Sequence, residues 1–121
     1  VGIQGGSITG GSSGRLLRHA VRCERENAAV RGIEIDQWGN QKRRGLALVG
    51  DDAYVDDCVI GTTDRPVTVD GDDTWIEDCY CNSYGGEESI LLTDSVHSVR
   101  LKNNGFPDGI ADRGASEVHI T

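Results

Sequence analysis

Asp56 and Glu77 are two carboxylates that occupy the same place in successive copies of a short pattern, 21 residues apart. Strands that carry such copies side by side would set the two acids about 5 Å apart, the separation a retaining glycosidase uses for its acid/base and its nucleophile. The competing account is a solvated acidic strip balanced by Arg31 and Lys102 at the same pattern position. Any acidic pair on adjacent strands reaches this spacing. Two positions earlier, the copies read Ala29, Tyr54, Trp75, Arg100 and His119. Tyr54, Trp75 and Arg100 in a row would make a platform for a sugar chain. Aromatic rings cover apolar sugar faces, and a guanidinium forks onto a carboxylate or sulfate. Arg100 and Lys102 are then the groups to hold acidic substituents. The alternative is a cross-strand stack that only stabilises a sheet.

Acids also recur in the turns. Gly50-Asp51-Asp52 and Gly71-Asp72-Asp73 lie 21 residues apart, and Asp57 and Asp78 repeat at the same interval. Like charges at one strand spacing repel unless a cation or salt intervenes. Oxygen ligands from Asp51, Asp52, Asp72 and Asp73 suit Ca²⁺, which takes six to eight. Acidity spread over turn-forming Asp explains the same residues without an ion. Cys58 and Cys79 fall at one inward position, close enough for a disulfide and equally suited to a buried stack of small residues that Asn104 continues. Cys81 reads as a small hydrophobe. The four cysteines match no strong zinc spacing. His19, His97 and His119 stand at unrelated positions, which argues against a shared metal. Gly10-Gly11-Ser12-Ser13-Gly14 lacks the Lys-Ser/Thr of a phosphate loop.

The elements that position these residues come from the repeat itself. Apolar or small residues recur at relative positions −2, 0, +3 and +5. The copies are Val1/Ile3/Gly6/Ile8, Ala28/Val30/Ile33/Ile35, Ala53/Val55/Cys58/Ile60, Thr74/Ile76/Cys79/Cys81 and Val99/Leu101/Asn104/Phe106, with a partial copy at Val118/Ile120. A second short strand lies between copies at 45–48, 66–69, 89–92 and 109–112. In the first interval, Leu16-Leu17 and Val21-Arg22-Cys23 both qualify. Period-2 strands bounded by Gly, Asp, Asn and Ser fill each unit. A helical excursion is expected only over 16–29. A unit this short cannot bury its own apolar face and must stack on copies of itself. The expected fold is therefore all-β: a right-handed, single-stranded parallel β-helix of about five to six coils, in one segment over residues 1–121. Leucine-rich repeats lack their signature here. A β-sandwich would not keep the same positions apolar at every turn.

The stretches VGIQGGSITGG, AYVDDCVIG, TWIEDCYCNS and VRLKNNGF resemble the coils of the pectate-lyase-like β-helix superfamily, which includes polysaccharide lyases, polygalacturonase-type hydrolases and viral tailspikes. The resemblance implies a glycan-facing solenoid, and some of its lyases use calcium. The hydrolase motifs are matched in part, by Gly50-Asp51-Asp52 and Arg100-Leu101-Lys102. The Gly-His-Gly turn is missing, since His97 sits in Val96-His97-Ser98.

Composition narrows the partners. The net charge is −8, which disfavours nucleic acid. No stretch approaches a membrane span. Ten Arg against two Lys, with Asp above Glu, resembles the usage of halophilic archaea and their viruses. Open strand edges at both ends invite further rungs or end-to-end association, as a homo-oligomer or with other β-helical segments. The reading is a β-helical structural or glycan-binding module of an extracellular or virion-surface assembly. The alternative is a polysaccharide lyase or glycoside hydrolase acting on acidic glycans through Asp56 and Glu77.

Overall fold

The computed structural model describes residues 2–10, 19–38 and 43–121. Within them the chain is a parallel β-solenoid. Its strands deal themselves in turn to three sheets. The first sheet takes β1 (Gly2–Gln4), β4 (Ala29–Arg31), β7 (Tyr54–Asp56), β10 (Thr74–Glu77), β13 (Ser98–Lys102) and β15 (Glu117–Ile120). The second takes β2 (Ser7–Gly10), β5 (Glu34–Gln37), β8 (Val59–Thr62) and β11 (Tyr80–Ser83). The third takes β3 (His19–Cys23), β6 (Arg44–Leu48), β9 (Val67–Val69), β12 (Ile90–Leu92) and β14 (Ile110–Asp112). About four turns carry all three strands, fewer than the five to six expected. In the next turn the middle strand shrinks to a single bridge between Tyr80 and Gly105, so the repeat is present in sequence before it is complete in hydrogen bonds.

The register is the one the repeat demands. Ile3, Val30, Val55, Ile76, Leu101 and Ile120 pair in one column, and Ile35, Ile60 and Cys81 in another. Leu46, Val67, Ile90 and Ile110 form a third. Side chains alternate across a strand, so each column that starts inward stays inward. Val30, Ile60, Leu46, Ile76 and Ile90 are fully buried. The core is thus a stack of aliphatic layers with the small thiols of Cys58 and Cys79 between them.

The helix expected over 16–29 is not formed where the chain is described. Residues 19–23 are strand β3, with Val21 opposite Leu46 and Cys23 opposite Leu48. Residues 16–18 lie outside the described part. The row of Leu, Ala and Val there mimics an amphipathic stripe, but pairing with β6 supplies long-range hydrogen bonds that a short isolated helix lacks. Of the two strand candidates in that interval, Val21-Arg22-Cys23 lies in β3, and Leu16-Leu17 lies outside the described residues.

The corners explain much of the turn acidity. Gly5, Gly32, Asp57, Asp78 and Asn103 occupy one corner in successive turns, each at positive φ between 54° and 70°. Asn27, Asp52 and Asp73 occupy another, at 52° to 60°. Only Gly, Asn and Asp enter this left-handed region readily. The repeating Asp residues are therefore hinges of the coil before they are charges. Gly71 is required for lack of space: a Cβ there would strike the backbone carbonyl of Gly50 in the turn below.

Candidate functional site

The outer face of the first sheet brings the expected residues together in two parallel columns. Ala29, Tyr54, Trp75, Arg100 and His119 form one, and Gln4, Arg31, Asp56, Glu77 and Lys102 the other. Both follow from the inward column between them, because the flanking positions of a strand must face away from the core.

The aromatic column is more tightly knit than sequence suggested. The Tyr54 and Trp75 ring centroids are 6.1 Å apart with planes inclined at 59°. The Arg100 guanidinium carbon lies 5.4 Å from the Trp75 centroid, and that of Arg31 4.9 Å from the Tyr54 centroid. The result is a ladder of cation, ring, ring, cation along four rungs. Each guanidinium gains by facing a ring. Arg31, read from sequence only as a balancing charge, is a full member. Its signal was its place one rung before Tyr54. The tilt means the two rings cannot both spend their faces on the ladder, and Trp75 remains 36% exposed.

The acidic column touches this ladder. The Tyr54 hydroxyl donates a hydrogen bond to Glu77 Oε1. That bond, then burial, then the neighbouring charge of Asp56 push the phenol up to about 12. Ligand oxygens of Asp56, Glu77 and Asp78 lie within 4.8 Å of one another. Among the described residues this is the group of acids that could hold a metal ion. Asp78 joins it from the corner, and Asn103 Nδ2 donates to its Oδ1 at 2.7 Å. Asp56 and Glu77 are therefore neighbours on adjacent rungs, accompanied by a phenol and a third acid.

The other acids expected to bind calcium are engaged locally. Asp51 Oδ1 accepts the Asp72 amide at 2.8 Å. Asp72 Oδ1 accepts the amides of His97 and Ser98 at 2.9 and 2.6 Å, and its Oδ2 lies 3.3 Å from His97 Nδ1. The Ser98 amide is the main cause that holds the Asp72 carboxyl below its usual range. Asp52 and Asp73 sit at the left-handed corner.

Shallow depressions lie at both ends of the ladder. One of 240 Å³ is lined by Trp75, Arg100, Lys102 and His119 among others. One of 370 Å³ lies at the Arg31 end, with Gln4 and Ala29. Lys102 and Arg100 thus share one hollow.

The thiols do no visible chemistry. All four cysteines are free. Cys58 and Cys79 are buried neighbours whose thiols reach the backbone carbonyls of Asp56 and Glu77 at 3.4 and 3.2 Å, and proximity to Cys58 and then burial push the Cys79 thiol up. Asn104 continues the stack as expected: its Oδ1 accepts the Cys79 amide and its Nδ2 donates to the Ile76 carbonyl, both at 2.9 Å. The three histidines are scattered, with His97 on Asp72 and His119 on Glu117.

A second exposed face, on the middle sheet, does not stand out in the sequence. Val59 and Tyr80 are half exposed there, next to Glu34. Tyr84 reaches across Gly61, where a side chain would collide with its hydroxyl, and donates to Asp36 Oδ1 at 2.7 Å. The signal was the position just before the inward +5 residue, which reads Glu34, Val59, Tyr80 and Gly105.

No protein-family model, curated protein or solved structure matches this chain. The function must be argued from the face itself.

Proposed function

We propose that this chain is a β-solenoid module that binds a glycan along the outer face of its first sheet, as part of an extracellular or virion-surface assembly that works in high salt. The Arg31–Tyr54–Trp75–Arg100 ladder carries the reading. It runs along the solenoid axis, exposes ring surface at Trp75, and ends in guanidinium groups next to shallow hollows. A linear sugar chain fits a track of this kind, with apolar ring faces against aromatic surface and acidic substituents on the cations. The hollows are open and shallow, which suits an extended polymer more than a small enclosed ligand.

The module also offers edges. Among the described residues β1 and β15 each have one neighbour in their sheet, and we propose that strands of this kind stack on a second copy or on other β-helical segments. No helix among the described residues is long and apolar enough to cross a membrane.

An enzymatic reading rests on Asp56 and Glu77, with their oxygens gathered beside Asp78 and the Tyr54 hydroxyl. One experiment separates the readings. Acidic polysaccharides are mixed with the protein in concentrated salt, and polymer mass is followed by light scattering. Constant mass with protein carried on the polymer supports binding. A fall in mass makes the chain a lyase or hydrolase. No association leaves a structural spacer, with the ladder serving only the sheet.

A further inference from the structure

The charge pattern along the ladder sets a rule for the glycan. Arg31 stands on the second rung of the first sheet. Asp56 and Glu77 stand on the third and fourth, and Arg100 and Lys102 on the fifth. Cations therefore flank a two-rung acidic centre. Three rung steps of ~4.8 Å separate the flanks by roughly 14 Å. A pyranose unit is about as long as one step, so a chain lying along the axis matches units to rungs.

We propose that the face selects glycans in which two neutral sugars lie between acidic ones, and that it rejects unbroken polyuronates. This rests on the glycan-binding reading above. At the flanks, a carboxylate or sulfate meets Arg31 at one hollow and Arg100 with Lys102 at the other. Both guanidiniums are held against rings, so little freedom is lost when they bind. At the centre, Asp56 and Glu77 offer acceptors to sugar hydroxyls. Tyr54 already donates to Glu77 and lies beside Trp75, where a neutral sugar finds apolar surface. A uronate over those rungs would instead set its carboxylate against two others, a repulsion that is strongest at low and moderate salt and weaker in the high-salt setting proposed above. The acids thus act as a filter on charge, the repulsive half of specificity.

Three immobilised tetrasaccharides test the rule, at moderate salt with a chelator so that no divalent ion bridges carboxylates. The first carries uronates at its ends and two neutral hexoses between. The second is a tetrauronate, and the third is wholly neutral. The wild-type protein is expected to bind the first at least about ten-fold more tightly than the second, a ratio that shrinks as salt rises. The Asp56→Asn/Glu77→Gln variant is expected to gain affinity for the tetrauronate, so that the ratio between the first and second glycans falls toward one. A wild-type preference for the tetrauronate, or a variant that gains nothing for it, overturns the rule while glycan binding stands. Binding to none of the three overturns both.

Discussion

Tyr54 makes the outer face respond to alkali. Its folded pKa of about 12 lies above the ordinary value of 10, chiefly through the bond to Glu77. A raised pKa means that the contribution to stability is complete below pH 10 and is lost as pH rises through about 12. Tyr84 behaves alike through Asp36, and is also pushed up to about 12. A Tyr54→Phe/Tyr84→Phe variant should therefore lose less stability than wild type between pH 10 and 12, as urea melts across that window would report. Asp72 works in the opposite direction. Its pKa is depressed below 3.8, so its contribution is present above that value and fades as pH falls past it. Asn104 is the residue whose loss should be felt at every pH. Asn104→Ala leaves the Cys79 amide and the Ile76 carbonyl without their partner, at a cost of about 1–3 kcal/mol in denaturant unfolding. Its role was legible in sequence because it replaced Cys58 and Cys79 at an inward position. The bond from Tyr54 to Glu77 was not legible, since it joins adjacent rungs diagonally through a side chain whose rotamer only packing selects.

Each strand of the solenoid is short, and the corners carry the information about where it ends. At Asp57 and Asp78 the chain turns with φ of 55° and 54°. Asp57→Val or Asp78→Val should cost about 1–2 kcal/mol, because a β-branched side chain is strained there. Asp57→Gly should be tolerated far better, and the contrast between the two in thermal melts checks that conformation and not charge is at stake. Gly71→Ala probes the spacing of turns: its Cβ meets the Gly50 carbonyl, and overpacking of this kind costs about 1–3 kcal/mol. These corners bear out the reading of the repeating acids as turn-forming Asp. Asp57 and Asp78 repeat in register, and what they supply first is backbone geometry. The expected helix over 16–29 failed at the same scale. A few apolar residues fit either period, and β6 decided between them by offering β3 a partner.

The whole molecule is a stack of like layers with a net charge of −8. Self-repulsion should limit its stability at low ionic strength. Raising salt from 0.1 to 1 M shortens the screening length from about 10 Å to about 3 Å and should raise the melting temperature. A flat response would remove the argument for a high-salt habitat. Ile76→Ala in the central column should cost about 2–5 kcal/mol and loosen neighbouring turns as well as its own, since each layer packs only on the next. At this scale the sequence alone determined the repeat, the inward columns, the register of the three sheets, and the two outward columns of the candidate site. That was possible because a strand has a period of two, and stacking carries each position onto its copy in the next turn. Tertiary structure decided the rest: that β3 is a strand, that the turns completed are about four, that Arg31 closes the ladder, and that Asp78 joins Asp56 and Glu77. These depend on rotamers, corner angles and hydrogen bonds between turns, and no one-dimensional period encodes them.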